Sequence, residues 1–181
     1  MTETLANADL RALIADVPDH PKPGVVFKDI TPLLASPRGY AACVDALVAA
    51  APSGIDAVCG MEARGFLFGA PVALALGAAF VPVRKPGKLP RAVVETSFEL
   101  EYSSETLAVH ADAIAPGARV LIVDDVLATG GTVVATAELV RRLGGELAGV
   151  AVVMELAFLQ PRALLSRHGV DDVAALLTYE D

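Results

Sequence analysis

Apolar residues along this chain follow two alternating rhythms. DAVCGM (56–61), AFVPVR (79–84), RVLIVD (119–124), ELAGVAVVME (146–155) and VAALLTY (173–179) are short and apolar almost throughout, as buried strands are. Between them lie stretches of helical character: Gly65 to Leu76, ending at Gly77, then about Gly131 to Leu143, and Pro161 to His168. Apolar strands that alternate with helices predict a doubly wound α/β domain, a parallel sheet with helices on both faces. Ahead of this pattern, Leu5, Leu10, Leu13, Ile14 and Val17 recur at helical spacing over Thr4–Val17 until Pro18, which predicts a first helix. HPKPGVVFKDITPLL (20–34) mixes prolines with one short extended piece and reads as an irregular flap, and helical character returns over Pro37–Ala51. The segment from Pro86 to His110 is long and polar, with alternating Val, Phe, Leu and Tyr positions. It reads as a hairpin-like flexible lid, since so long a connection within a compact domain is usually functional.

Length and composition narrow the class. A chain of 181 residues that is 54% hydrophobic suits a single domain over 1–181, with the helix and flap occupying 1–35. Net charge is −8 and the pI about 4.8, which argues against nucleic acid or an anionic membrane surface as partner. Cys43 and Cys59 lie in apolar segments with no CxxC spacing, as core residues of a protein in a reducing compartment do. The N-terminus shows no basic n-region of a signal peptide. Phe66–Val83 contains eighteen residues without a charge, long enough for a membrane span. Its glycines and prolines divide it instead into a helix ending at Gly77 and a buried strand. A cytoplasmic protein is expected.

The candidate chemistry centres on VLIVDDVLATGGT (120–132). Asp124 and Asp125 fall where a buried strand is predicted to end, and in a parallel α/β sheet ligands sit beyond that edge. Gly130 and Gly131 then let the backbone wrap an anion at a helix N-terminus, with Ala128 small and Thr129 and Thr132 adding hydroxyl donors. No lysine follows these glycines, and GxGxxG is absent, so neither common glycine motif applies. The two carboxylates are placed to accept hydrogen bonds from the vicinal hydroxyls of a sugar whose phosphate the turn holds.

VLIVDDVLATGGT resembles the phosphoribosyl-diphosphate signature of the type I phosphoribosyltransferases. PGVVFKDITPLL (23–34), EARGFLFG (62–69), RKPGKLP (84–90) and ELEY (99–102) narrow the resemblance to the branch of that family acting on adenine, and the match runs nearly end to end. It implies that adenine and 5-phosphoribosyl-1-diphosphate give AMP and diphosphate, with Mg²⁺ held mainly by substrate oxygens and water, and no dedicated metal ligands in the protein. It implies that Arg64 and its loop hold the diphosphate, the peptide before Ala63 commonly being cis, and that Arg84, Lys85 and Lys88 neutralise it. Lys88 would reach into the neighbouring subunit of a homodimer. Glu101 would transfer a proton with the purine ring and Tyr102 would cover the reaction centre. Phe27 and Leu156 would sandwich adenine while the backbone of Val26 and Lys28 reads its edge. In an extended chain the C=O of residue i and the N–H of residue i+2 point to one side, which matches adenine's donor–acceptor edge. Ser103 stands where the family usually has Gly, and Pro161 precedes Arg162 where a Gly-Arg turn is common. Two rivals share the signature: a phosphoribosyltransferase for another base, and a non-catalytic regulator that senses phosphoribosyl diphosphate.

Overall fold

Local helical spacing near the N-terminus yields to strand pairing. The structure, a computed structural model, describes residues 7–100 and 103–180. Helix α1 covers Asn7–Arg11, but the expected continuation to Val17 is replaced by strand β1, Ala15–Val17. Strand β2, Phe27–Asp29, pairs with it antiparallel, setting Asp16 opposite Lys28 and Val17 opposite Phe27. The Lys28 ammonium meets the Asp16 carboxylate at 2.8 Å across this pair. Leu10 and Ile14 are buried all the same, so the spacing identified inward residues while the cross-strand ladder decided the backbone. The flap also contains a short helix, α2, Thr31–Ala35. The Asp29 carboxylate accepts from the Thr31 N–H at 2.9 Å and from its hydroxyl at 2.7 Å, turning the chain into a helix whose first turn takes Pro32. Helix α3 spans Pro37–Ala50.

The chain gathers into two compact units, one ending at Ala46 and the other beginning at Leu47. The second holds the sheet. In chain order its elements are β3 (Ala57–Met61), α4 (Gly65–Leu76), β4 (Ala79–Val83), β5 (Val93–Leu100), β6 (Ser103–His110), β7 (Arg119–Leu127), α5 (Gly131–Arg142), β8 (Glu146–Leu156), α6 (Pro161–Arg167) and β9 (Val173–Tyr179). Five strands form one parallel sheet in the order β4-β3-β7-β8-β9. From β3 the chain steps through α4 to one edge, and from β7 through α5 and α6 to the other. Right-handed crossovers in opposite directions place α4 and α5 on opposite faces. That is the doubly wound arrangement, and every residue of β3 is buried, as a strand covered on both faces must be.

Two predicted boundaries moved. The ladder of β7 continues past Asp124, through Val126 opposite Met154 to Leu127 opposite Glu155, because β8 is eleven residues long and offers partners that far. The aspartates therefore lie inside a strand, not at its end. The segment expected as a lid is a hairpin of β5 on β6, paired from Val93–His110 out to Leu100–Ser103. Leu107 and Val109 join the main core, and Val94 and Phe98 pack against it, so its alternation marks an inward face. Glu101 and Tyr102 lie outside the described residues.

Among the described residues no helix is long and apolar enough to cross a membrane. The uncharged run 66–83 breaks at Gly77, whose φ of 66° ends α4. Cys43 and Cys59 are buried and unpaired, and burial pushes both thiols up to about 12.

The close approach of α4 to β3 fixes the path of the chain between them. A Cβ on Gly69 would lie 3.2 Å from the Cα of Gly60, and one on Gly60 would lie 2.7 Å from the Phe80 ring and 3.1 Å from the Gly65 carbonyl. Gly60→Val should therefore destabilise the fold by about 1–3 kcal/mol, the usual range for overpacking. Urea denaturation read by circular dichroism measures this; an unchanged midpoint would mean that β3 and α4 separate freely.

Candidate active site

Strands β3 and β7 are parallel neighbours whose following helices leave toward opposite faces, so their carboxyl ends diverge and leave a crevice. A cavity of about 420 Å³ opens there. Glu62, Ala63 and Arg64 line it after β3. Asp124, Asp125 and Val126 do so from β7, Ala128 to Thr132 from the turn into α5, and Lys85, Phe98 and Leu107 from neighbouring segments. Three stretches singled out in the sequence thus meet in one place because of the strand order.

The turn into α5 is an open helix end. Gly130 takes φ 90°, a left-handed conformation that suits glycine and strains other residues. No side chain caps the helix, so its first N–H groups and the positive end of its dipole are offered to the cavity. A phosphate fits that chemistry.

Beside it the two carboxylates are almost out of water, Asp124 at 9% and Asp125 at 3% exposure. Arg64 Nε donates to Asp125 Oδ2, and the Asp125 N–H donates to Asp124 Oδ1 at 2.9 Å. A Cβ at position 65 would come within 2.6 Å of that same Oδ1, so Gly65 supplies the room in which Asp124 sits. Burial, and after it the charge of Asp125, push the Asp124 carboxyl well above the usual range, against the pull of the Asp125 N–H and Arg64. This pair is poised to take hydroxyl donors, or a cation together with them.

The wall after β3 begins with a cis peptide between Glu62 and Ala63. The Glu62 carboxylate accepts from Arg84 Nε at 2.9 Å and from the Lys85 N–H at 3.2 Å. Partial burial opposes its ionisation, but these hydrogen bonds and the nearby charges of Arg84 and Lys88 hold it below the ordinary glutamate range. Sequence reasoning missed Glu62, Phe98 and Leu107. A charged residue directly after an all-apolar strand was a signal for the first, and the alternation within 93–110 was one for the others.

Lys88, Leu156, Pro161 and Arg162 are not among the residues that line the cavity. Lys88 sits in the turn 84–88, its carbonyl accepting from Arg84 Nη1 at 3.1 Å. Leu156 ends β8 and is half-buried. Arg162, on the first turn of α6, grips the buried Glu155 carboxylate through Nε at 2.9 Å and Nη2 at 2.8 Å, and donates to the Val173 carbonyl at 3.1 Å. Pro161 starts that helix. Val26, Phe27 and Lys28 belong to the first unit, where Val26 is exposed and the Phe27 ring meets His20 edge-on at 5.2 Å. Among the described residues no group of three His, Cys, Asp or Glu side chains gathers as a metal cage.

Residues 30–165 match the phosphoribosyl transferase domain family. The chain is 63% identical over 169 residues to an adenine phosphoribosyltransferase of Cutibacterium acnes, covering 93% of this chain and 96% of that one. Identity to the adenine phosphoribosyltransferase of Myxococcus xanthus is 54% over 182 residues, covering 99% and 96% of the two chains. Among solved structures, the adenine phosphoribosyltransferase of Thermoanaerobacter pseudethanolicus superposes with a TM-score of 0.91 at 44% identity, over 96% of this chain and all of that one. The Saccharomyces cerevisiae enzyme, solved with adenine and an imino-altritol bisphosphate, gives 0.86 at 40% identity, over 94% and 98%.

The electrostatics of the aspartate pair have a consequence for stability. A carboxyl whose folded-state pKa is raised contributes stability that is fully present below the unfolded value of about 3.9 and is lost as pH rises through the folded value. At neutral pH the buried carboxyl of Asp124 is therefore a liability. Asp124→Asn, whose amide oxygen can still accept from the Asp125 N–H, should raise the melting temperature of the ligand-free protein at pH 7. The gain should shrink steadily toward pH 4. Melting curves across that range measure it, and a lower melting temperature at pH 7 would contradict the assignment.

Proposed function

On the premise that this chain belongs to the adenine phosphoribosyltransferase family, we propose that it forms AMP and diphosphate from adenine and 5-phosphoribosyl-1-diphosphate. The observation that carries this reading is a buried aspartate pair beside an uncapped helix N-terminus, within a cavity walled by Arg64 and Lys85.

The 5-phosphate lies on the turn Ala128–Thr132, where backbone N–H groups and the hydroxyls of Thr129 and Thr132 donate to it. Asp124 and Asp125 accept from the ribose hydroxyls and so fix the sugar. The diphosphate lies against the Ala63–Arg64 loop and the segment that carries Arg84, Lys85 and Lys88. As the bond from C1 to the diphosphate oxygen breaks, negative charge grows on the leaving group and positive charge on the sugar ring. Cations fixed beside the first and carboxylates beside the second stabilise that separation more than they stabilise the ground state. Adenine N9 then bonds to C1, and Glu101 takes the proton that the ring loses. Tyr102 covers the centre and keeps water from C1.

The donor set also suits Mg²⁺. Two carboxylates on one wall, without a dedicated cage, are what a hard dication needs when most of its ligands are substrate oxygens and water. Asp124 and Asp125 would hold it on the protein side, and when bound it neutralises diphosphate charge. The functional unit is a homodimer in which Lys88 reaches the neighbouring subunit's site.

Base choice belongs to the flap. Phe27 stacks on one face of adenine and Leu156 on the other, while Val26 C=O and Lys28 N–H read the edge. Main-chain reading requires that Phe27 and Asp29 turn their peptide groups toward β1, leaving those of Val26 and Lys28 on the outer edge of β2. The side chain of Lys28 is already occupied with Asp16 at 2.8 Å, which supports a main-chain role.

AMP formation measured with adenine, hypoxanthine and guanine tests the reading directly. Adenine should be the preferred base, and a preference for either oxopurine would overturn the proposal. Glu101→Gln should lower kcat about a hundredfold or more with little change in either KM, since a positioned general base contributes in that range. Retention of full kcat with chemistry rate-limiting would exclude Glu101 from the proton step. Phe27→Ala should raise the adenine KM roughly five- to a hundredfold, equivalent to about 1–3 kcal/mol of stacking. Lys28→Ala should keep the adenine to hypoxanthine ratio of kcat/KM, because hypoxanthine leaves two backbone groups unpaired in wild type and variant alike. A collapse of that ratio in Lys28→Ala alone would mean that the side chain reads the base.

A further inference from the structure

Leu156 closes β8, and the residues after it lead into α6 with little packing of their own. Ala157–Leu159 form a single 3-10 turn in which no residue is buried, and Phe158 and Leu159 are exposed. Gln160 then takes φ 52°, a left-handed conformation that residues with a side chain adopt reluctantly. The path of this turn is therefore held from outside it, and the two residues that flank it are joined. Glu155 is 4% exposed. Arg162 Nε donates to its Oε1 at 2.9 Å and its Oε2 at 3.1 Å, and Arg162 Nη2 donates to Oε2 at 2.8 Å. One planar fork thus engages both carboxylate oxygens, a pairing that adds direction to strength. Arg162 itself stands on a seated element. Pro161 and Leu165 of α6 are buried, and a Cβ on Gly130 would lie 3.4 Å from Leu165 Cδ2 and 3.5 Å from the Pro161 carbonyl oxygen. Helix α6 therefore packs directly against the glycine turn that leads into α5.

We propose that Glu155 and Arg162 form a positioning pair that sets Leu156, and with it one wall of the base site, at a fixed distance from the glycine turn. Glu155 still stands opposite Leu127 of β7, whereas Leu156 is paired only with Tyr179 of β9. The end of β8 is thus held by the ladder on one side alone, and the fork to α6 supplies the second hold. Successive residues of a strand point to opposite faces, so fixing the Glu155 side chain also fixes the direction of Leu156. A buried ion pair contributes little net stability compared with apolar residues of the same size. What this one contributes is geometry, because a base held by Leu156 must meet C1 of a sugar whose phosphate lies on the turn that α6 supports, and small misplacements there are costly in rate. The inference rests on the reading of Leu156 as a wall of the adenine site.

Steady-state kinetics of the full chain, with both substrates varied, test it. Leu156→Ala should raise the adenine KM about tenfold or more, as loss of an apolar pocket contact does. Arg162→Lys keeps a cation beside the buried carboxylate but loses the fork. It should raise the adenine KM about five- to tenfold and leave the KM for phosphoribosyl diphosphate within about twofold, because Pro161 and Leu165 still seat α6 against the glycine turn. Glu155→Gln removes the charge without changing the shape and should show the same selective rise, so the test does not depend on one variant folding. Added to Leu156→Ala, Arg162→Lys should change the adenine KM by no more than about twofold, since the side chain to be placed is gone. Effects that multiply in that double variant would mean that Arg162 acts on the base by another route, and would overturn the proposal. An adenine KM unchanged in both Arg162→Lys and Glu155→Gln would do the same, marking the pair as purely structural, as would an equal rise in the two KM values. An unchanged adenine KM in Leu156→Ala would instead remove the base-wall reading itself, and the positioning pair with it.

Discussion

Two carboxylates held side by side out of water constrain this molecule more than any other contact. Burial makes Asp124 costly to ionise, and the charge of Asp125 beside it adds to that cost. The structure meets that cost locally. Gly65 leaves a hollow where a Cβ would strike Asp124, the Asp125 N–H turns onto Asp124, and Arg64 closes on Asp125. All three devices come from the segment after β3 or from the pair itself. The adjacency of β3 and β7 in the sheet is therefore what makes the aspartates tolerable. A ligand that brought hydroxyl donors to the pair would relieve the same burden, so affinity and stability would pull on the same residues in opposite directions.

The close approach of α4 to β3 and its neighbours explains why glycines crowd this junction. Gly60, Gly65 and Gly69 each occupy a place where a side chain would meet backbone or a ring within about one methyl radius of contact. The helix lies close enough to β3 to hold Ala63 and Arg64 at the mouth of the cavity. Flexibility is not their role there, for Gly60 and Gly69 do not carry the positive φ values seen at Gly77 and Gly130. Gly130, by contrast, is needed for its conformation, which swings the chain from β7 into the open end of α5.

The hairpin is more firmly rooted than a surface flap. Its β6 strand contributes Leu107 and Val109 to the main core, and Arg142 Nη1 of α5 donates to the Glu95 carbonyl of β5 at 3.0 Å. Phe98 meets the His168 ring at 6.0 Å on one side and lines the cavity on the other. Both helix α5, which begins at the glycine turn, and the segment of Arg84 thus touch the hairpin. Whatever occupies the cavity acts on elements to which the hairpin is already bonded.

The sequence by itself determined the five strands of the parallel sheet, the helices between them and the glycine turn, because each rests on local rules: apolar runs, breaks at Gly and Pro, and the conformational freedom of glycine. Helix α4 ends at Gly77 as read, and 120–132 falls on a strand followed by a glycine turn into a helix, the strand running three residues further than read. It also singled out Arg64, Lys85, Asp124, Asp125 and Ala128 to Thr132, since their grouping was legible as chemistry and as a family resemblance. Only the tertiary structure decided that Val17 pairs with Phe27 instead of ending a helix, that β7 runs on through Asp124 and Asp125, and that Glu62 engages Arg84. Each depends on a partner distant in the chain, β2 for β1, β8 for β7 and Arg84 for Glu62. Hydrogen-bond ladders and ion pairs are formed in space, and local sequence carries no record of which partner arrives.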